Sequence, residues 1–146
     1  MNIHARVILA FLFISCTVSC TTYYIPVEMF KQLYAKTDSS KSTYLHYNGR
    51  KYFVHSAAAI QTIHCIDKKG NAVELQNGLA IEIRFTDTQN HKTIFYFDTM
   101  LMNDSTIIGS QSRFDPSLMK LIQLNDVARI QIQNSHKDFR MLGYSQ

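Results

Sequence analysis

Apolar and polar residues alternate with a period of two through much of the second half of the chain, a pattern that predicts β-strands. The run LAIEIRFT, residues 79–86, shows the alternation most clearly. One face of this strand should belong to a core and the other should meet water, as in an antiparallel sheet that is solvated on one side. We therefore expect a substitution at Glu82, on the polar face, to be tolerated. The predicted core residues are Leu79, Ile81, Ile83 and Phe85.

Two short turn signals predict hairpins. The dipeptide Asn48-Gly49 separates two strand-like runs in TYLHYNGRKYFVH and favours a two-residue turn, although the register of the pairing stays open. In AVELQNGLAIEIRF, a three-residue loop at 76–78 is expected to place Gly78 in the left-handed conformation. The pairs expected across that loop are Leu75 with Leu79 and Val73 with Ile81.

The segment KTIFYFDTMLM, residues 92–102, has apolar residues on both faces. This pattern predicts a central strand that is covered on both sides. The dipeptide Asn103-Asp104 then indicates a turn into the next strand-like run, STIIGSQSR.

Residues 121–133, LIQLNDVARIQIQ, have the pattern of a strand, a single 3₁₀ turn and a second strand. This order resembles the closing segment of small SH3-like and Sm-like barrels. A similar apolar spacing recurs in IQTIHCID, which leaves open whether the chain contains a duplicated strand-turn-strand unit. The matching positions are Ile60 with Val127, Ile63 with Ile130, and Cys65 with Ile132.

Ahead of the strands, PVEMFKQLYAK has apolar residues at helical spacing, with Pro26 at the favoured first position of a helix. Together these patterns predict a mainly β fold with one N-terminal amphipathic helix. The expected architecture is a small antiparallel barrel or a strongly twisted sheet of the SH3-like or Sm-like kind. The apolar face of the helix consists of Val27, Phe30, Leu33 and Tyr34.

Length and charge narrow the class of protein. A chain of 146 residues fits one domain, and its formal net charge is only +4. The basic residues are scattered, and the only adjacent pairs are Arg50-Lys51 and Lys68-Lys69. We therefore expect no nucleic-acid partner, because binding of nucleic acid requires a concentrated basic surface.

The N-terminus has the three-part order of an export signal. Arg6 precedes the apolar run VILAFLFI, and small and hydroxyl residues follow it. Even when the run is extended to Val18 it has about a dozen residues, whereas a bilayer-spanning helix needs ~20. We do not expect it to serve as a membrane anchor by itself.

The end of this run, FISCTVSC, resembles the lipobox of bacterial lipoproteins, in which a small residue precedes a cysteine that receives a diacylglyceryl group. We predict lipidation of Cys20, which gives the more usual signal length, with Cys16 as the alternative. An ordinary secretory signal with incidental cysteines stays open. The resemblance implies anchoring at the outer membrane, because the residues after either cysteine lack the aspartate that retains this family at the inner membrane. The implied division is 1–19 signal peptide, 20–25 lipid-anchored tether and 26–146 a single mostly-β domain.

No residue pattern predicts a catalytic, metal or cofactor site. His46, His55 and His64 are nine residues apart, and in unbroken strands this odd spacing turns His55 away from the other two. Ser105 and Asp98 could be combined with a histidine as a triad. However, the sequence contains no G-x-S-x-G elbow, H-E-x-x-H pair or glycine-rich phosphate loop.

Two further predictions concern individual side chains. Tyr44 and Tyr52 flank the first hairpin turn and are the predicted partner surface, because tyrosine offers a large contact area at little entropic cost. Cys65 is the only cysteine left in the mature chain when Cys20 is acylated, and we predict that its thiol is buried and unpaired.

These observations favour a non-enzymatic cell-envelope lipoprotein whose membrane-tethered β domain binds an envelope protein or glycan, or takes part in assembly. An inhibitor or immunity protein that acts on a lytic envelope enzyme is the alternative from another class. A small hydrolase that uses dispersed polar residues is the third reading.

Overall fold

Two antiparallel sheets and one short α-helix make up the fold. The structure is a computed structural model, and it describes residues 21–36, 42–115 and 117–137. The predicted export signal and the predicted lipidation site, Cys20 or Cys16, lie outside the described residues. In chain order the elements are β1 (Thr22–Ile25), α1 (Val27–Ala35), β2 (Ser42–Tyr47), β3 (Arg50–Ser56), β4 (Thr62–Ile66), β5 (Ala72–Gln76), β6 (Ile81–Asp87), β7 (Lys92–Tyr96), β8 (Leu101–Met102), β9 (Thr106–Ser110), β10 (Met119–Gln123) and β11 (Val127–Asn134).

The strand order is β5-β4-β1-β11-β6-β7 in the first sheet and β10-β9-β8-β3-β2 in the second. All of the strand pairs are antiparallel. Among the described strands the ladders end at free edges and do not form a closed barrel. The prediction of a mainly β fold with one N-terminal helix is therefore confirmed.

The chain crosses between the two sheets four times. The first crossing, from β1 to β2, contains α1, and each of the other three passes through a three-residue 3₁₀ turn. The carbonyl of the first turn residue accepts the N–H of the residue three positions later, and that first residue is buried in all three turns. The strand, turn and strand predicted for 121–133 are confirmed. The similar spacing in IQTIHCID has a structural basis, since β4 follows an equivalent turn. The turns are Ala57–Ala59, Phe97–Thr99 and Leu124–Asp126.

The prediction of one central strand over residues 92–102 is wrong. This segment contains β7, at the edge of the first sheet, then a 3₁₀ turn, and then β8 in the second sheet. The turn shifts the alternation of faces, so that Phe95, Phe97 and Met100 all face the core. Apolar residues occur at both odd and even positions of this segment because the chain crosses from one sheet to the other within it.

The hairpin predicted across 76–78 is also wrong. β5 pairs with β4, where Leu75 lies opposite Ile63. Val73 lies opposite Cys65 in the same ladder. Gly78 is not among the residues with positive φ, so no left-handed glycine is needed there.

Two hairpins that the sequence analysis does not predict, β4–β5 and β6–β7, have loops of the same design, DKKGN (67–71) and DTQNH (87–91). In each loop the leading aspartate accepts two backbone N–H groups, at 2.7 and 2.9 Å for Asp67 and at 2.9 and 2.8 Å for Asp87. The fourth residue has positive φ, 86° at Gly70 and 68° at Asn90. Hydrogen bonds from Asn71 lower the pKa of the Asp67 carboxyl.

A chain of aromatic rings links the helix to both sheets. The rings of Phe30 in α1 and Phe85 in β6 have centroids 5.6 Å apart, and Phe95 in β7 lies 5.9 Å beyond Phe85. Phe95 then covers Gly109 in β9 of the second sheet, where a Cβ atom would fall 2.4 Å from the ring. The core therefore fills the space between the sheets, and the buried residues Phe30 and Tyr34 place α1 over it as predicted.

Most of the predicted core is confirmed. Ile81, Ile83 and Phe85 are buried, and Leu79 is half buried just before β6 begins. Cys65 is free and buried, as predicted, and burial raises the pKa of its thiol to about 11. Its thiol donates a hydrogen bond to the carbonyl of Val73 at 3.4 Å.

The tether expected over 20–25 needs correction. Thr22–Ile25 form β1, which lies between β4 and β11 inside the first sheet. Ile25 at its end is buried. The folded domain therefore begins by Thr22 and not at Pro26.

Candidate functional site

The β2–β3 hairpin carries the residues predicted as a partner surface. Asn48 and Gly49 have φ values of 49° and 75°, the left-handed conformations that a two-residue type I′ turn requires. The hairpin predicted at this dipeptide is confirmed, and its register places Tyr47 opposite Arg50. Alternate side chains then share a face. The outer one, which we call the hairpin face, consists of Tyr44, His46, Lys51, Phe53 and His55.

An aromatic pair with a cation above it forms the centre of the hairpin face. Tyr44 and Phe53 lie directly opposite each other with ring centroids 5.2 Å apart, and their side chains are 61% and 48% exposed. The Nζ atom of Lys51 lies 4.0 Å from the centroid of the Tyr44 ring, within the range of a cation–π contact. His55 extends the row, 5.6 Å from Phe53 and hydrogen-bonded to Ser42 at 2.7 Å.

The predicted surface of Tyr44 and Tyr52 divides between two faces. Tyr52 lies opposite Leu45 and is half buried, on the same face as the fully buried Val54. Phe53, the next residue, is the exposed neighbour of Tyr44. The sequence alone leaves the register of this hairpin open, so it does not show which of Tyr52 and Phe53 shares a face with Tyr44.

β2 is also a free edge of the second sheet. In an antiparallel pair, opposite residues alternate between pairs that exchange backbone hydrogen bonds and pairs that do not. A two-residue turn closes with a bonded pair, here Tyr47 and Arg50. The backbone N–H and C=O groups of Ser42, Tyr44 and His46 therefore point away from β3, toward the side of β2 where the structure describes no paired strand.

The β2–β3 hairpin contains basic residues but no acidic ones. Residues 42–56 include Arg50, Lys51 and two histidines, and no aspartate or glutamate. Neither Arg50 nor Lys51 forms an ion pair with any residue that the structure describes. Arg50 shares a face with Tyr47 and Tyr52, so the hairpin face carries the charge of Lys51, which no carboxylate neutralises within the described domain.

The histidine spacing needs one correction. His46 and His55 both lie on the hairpin face, because the two-residue turn changes the parity that holds in an unbroken strand. They belong to cross-strand pairs at different positions along the hairpin, and His64 lies in the first sheet, beside Glu74 at 3.3 Å. Within the part of the chain that the structure describes, no group of three or more His, Cys, Asp or Glu side chains could hold a metal ion.

Asp98, which was considered for a triad, forms an ion pair with Arg113 at 2.5 Å. Only 5% of the Arg113 side chain is exposed, and it donates to the carbonyl of Leu79 from Nε at 3.0 Å and from Nη2 at 2.6 Å. Its guanidinium carbon lies 4.4 Å from the centroid of the Tyr96 ring. Arg113 thus joins the β9–β10 loop to the first sheet.

A second ion pair lies near the same ring. Lys137 contacts Glu82 at 2.5 Å and lies 5.7 Å from the Tyr96 centroid, and the hydrogen bond to Glu82 raises the pKa of Lys137. Gln133 also donates to Glu82, at 3.3 Å. Glu82 is only 12% exposed, so we revise the expectation that it tolerates substitution. We call this set the Tyr96 cluster: Tyr96, Arg113, Asp98, Lys137 and Glu82.

Two open grooves lie on either side of Ile60. One, of about 620 Å³, is lined by the segment 76–81 together with Asp98. The other, of about 580 Å³, lies between α1 and β4 and includes His64. The described lining of the first groove contains no hydroxyl or thiol group. The second contains Thr62 and His64, but the Thr62 hydroxyl accepts a hydrogen bond from Gln76 at 3.5 Å and His64 lies beside Glu74 at 3.3 Å.

Compared with protein-family models, curated protein sequences and solved structures, the chain shows no significant match to any of them. In the described residues, no helix has the length and apolar character needed to cross a membrane. The hairpin face thus combines an exposed aromatic pair with a cation that has no carboxylate partner among the described residues.

Proposed function

We propose that the protein is a non-enzymatic cell-envelope lipoprotein whose β domain binds an envelope protein or glycan, or takes part in assembly, through the hairpin face. The observation that carries this proposal is the exposed pair of Tyr44 and Phe53 with Lys51 above it. Aromatic side chains are enriched at the centre of protein interfaces, and a cation beside them adds a charge that a partner can match.

The exposure of these rings is informative because the fold does not use them. Neither Tyr44 nor Phe53 belongs to the hydrophobic core. A sheet edge with exposed aromatic residues is also an aggregation risk, so such a surface is retained at a cost. A binding role accounts for that cost.

The lipid anchor rests on the sequence of the N-terminal segment, with Cys20 as the modified residue and Cys16 as the alternative. Each buried CH₂ group of a lipid contributes ~0.8 kcal/mol, so two or more acyl chains hold a protein stably on a membrane. Since β1 begins at Thr22, lipidation of Cys20 would leave one residue between anchor and domain. The domain would then lie directly against the surface of the outer membrane.

The finer description of the fold, an SH3-like or Sm-like barrel, is part of the same proposal. The hydroxyl of Tyr47, at the tip end of β2, donates to the carbonyl of Met119 in β10 at 3.1 Å. β2 and β10 are the two edges of the second sheet, so this contact supports a strongly curled sheet. The three strand, 3₁₀ turn and strand crossovers support it as well.

The lipid anchor is tested by labelling bacterial cells with palmitate. We expect label in the native protein, loss of label in Cys20→Ala, and retention in Cys16→Ala. Loss only in Cys16→Ala would move the anchor to Cys16. An unlabelled native protein would contradict the lipoprotein proposal.

The binding role is tested with a photo-crosslinking residue placed at position 44 of the full-length protein in cells. The control position is Gln89, which is exposed in the β6–β7 loop. We expect a defined adduct from position 44 and none from position 89. A lytic hydrolase in the adduct would favour the inhibitor or immunity reading, and equal adducts at both positions would contradict a specific hairpin face.

A further inference from the structure

The four edge strands of the two sheets differ in how they are protected. Three of them, β5, β7 and β10, each carry an exposed charged residue, Glu74, Lys92 and Lys120 respectively. Charges on edges oppose the addition of another strand. β2, with the sequence STYLHY, contains no Lys, Arg, Asp, Glu or Pro. It is the edge that is chemically open to another strand.

We infer that the free edge of β2 binds an extended acidic peptide segment of the partner as an additional β-strand. This inference rests on the proposed function of the hairpin face and adds the class of partner. The outward N–H and C=O groups of Ser42, Tyr44 and His46 would supply the backbone hydrogen bonds. Such bonds provide affinity for any extended chain, and side chains then provide selectivity.

Selectivity for acidic side chains follows from the position of Lys51. Lys51 belongs to β3, but its ammonium lies over the ring of Tyr44 in β2, next to the free edge. A carboxylate on the added strand, on the same side of the sheet, would therefore lie beside a cation that forms no ion pair with the described residues. Opposite charges on neighbouring strands are stabilising and like charges are not. Pairing of two copies of this hairpin would instead bring cations together.

The test uses ¹⁵N-labelled full-length protein in detergent and a capped nine-residue peptide of alternating valine and glutamate. The control peptide has lysine in place of glutamate. We expect saturable binding of the glutamate peptide, slower hydrogen exchange at the amides of Tyr44 and His46, and binding at least tenfold weaker for the lysine peptide. Equal binding of both peptides, or no binding of either, would overturn the inference.

Two variants at one position separate backbone pairing from side-chain contact. His46→Pro removes an outward N–H without removing a bond to β3, whereas His46→Ala keeps that N–H. We expect the proline variant to bind the glutamate peptide at least tenfold more weakly than the alanine variant, with thermal unfolding of both checked for an intact fold. Equal affinities would overturn strand addition. If the two His46 variants bound equally but Tyr44→Ser abolished binding, the hairpin face would bind the peptide through its side chains and not by strand addition.

Reversal of the charge provides an independent check. Lys51→Glu should prefer the lysine peptide, and a preference that does not change would overturn the role of Lys51. Sedimentation analysis of the free protein tests whether a second copy of this chain pairs with β2. A dimer that His46→Pro dissolves would make a second copy the occupant of β2 and overturn the acidic-peptide inference. Palmitate labelling is an independent experiment, so a failure of the strand-addition inference can be distinguished from a failure of the lipoprotein proposal.

Discussion

Tyr96 in the first sheet and Tyr44 in the second both lie beneath cations, but only the Tyr96 cluster contains carboxylates. Arg113 and Lys137, at 4.4 and 5.7 Å from the Tyr96 ring, are paired with Asp98 and Glu82. Lys51, at 4.0 Å from the Tyr44 ring, has no carboxylate partner among the described residues. Both regions have a cation beside a tyrosine ring, but only the region around Tyr96 also contains the carboxylates that pair with the cations.

The comparison suggests what each region does. In the Tyr96 cluster both charges of each pair come from this chain, so its electrostatic energy contributes to the stability of the fold. Around Tyr44 the fold supplies the aromatic ring and the cation only. A partner that supplies the carboxylate would complete the set, and this is the physical basis for an acidic partner.

The largest expected effect tests the packed side of the sheet beneath the Tyr96 cluster. Ile83 is fully buried in β6, so Ile83→Asp should lower the free energy of unfolding by about 4 kcal/mol because it buries an unpaired charge. Ile94 in β7 is 38% exposed and lies opposite Arg84, so Ile94→Asp should cost less than about 1 kcal/mol. Urea denaturation measures both, and equal losses would mean that the two faces are assigned wrongly.

The next effect compares the two cation sites directly. Arg113→Met leaves Asp98 and the Leu79 carbonyl without their donor, and we expect a loss of about 3 kcal/mol. Lys51→Met removes a cation that has no carboxylate partner in the described domain, so its loss should stay below about 0.5 kcal/mol. Thermal unfolding of the two variants is the measurement. Similar losses would show that the hairpin face is as much a part of the fold as the Tyr96 cluster.

A smaller effect concerns the contact that joins the two sheets. Gly109→Ala would place a methyl group against the ring of Phe95, and relief of that clash should cost about 1–3 kcal/mol. Gly78→Ala is the matched control, because a Cβ there meets no atom within 4 Å and φ is not positive. It should change stability by less than about 1 kcal/mol, in the stabilising direction. If Gly109→Ala did not lower the stability, the two sheets would be able to move apart at little cost to make room for the methyl group.

Features with local signals were predictable from the sequence. The helix, the alternation in β6 and the turn at Asn48-Gly49 each depend on residues close together in the chain. The pairing of β5 was not predictable, because β4 and β6 compete for it. The short loop 76–78 favoured β6, whereas the aspartate-bonded loop 67–71 joins β5 to β4.

The site was only partly predictable for the same reason. Tyr44 was identified from its place beside the turn, but its neighbours Phe53 and Lys51 follow only from the register. The Tyr96 cluster has no sequence signature, since Arg113 and Asp98 are 15 residues apart and Lys137 and Glu82 are 55 apart. Such contacts are set by the packing of the two sheets.

The smallest expected change in stability concerns the hairpin face itself, and it is the sharpest test of the comparison. In the double variant Tyr44→Ser and Phe53→Ser two exposed rings and their mutual contact are lost. Because an exposed aromatic pair adds only a fraction of ~0.5–1.5 kcal/mol, the free energy of unfolding should fall by less than about 1 kcal/mol. Binding of the glutamate peptide should nevertheless weaken at least tenfold, since the ring that positions Lys51 is gone. Urea denaturation and peptide titration of the same sample measure both quantities. A large loss of stability with unchanged binding would reverse the assignment and make these rings part of the fold.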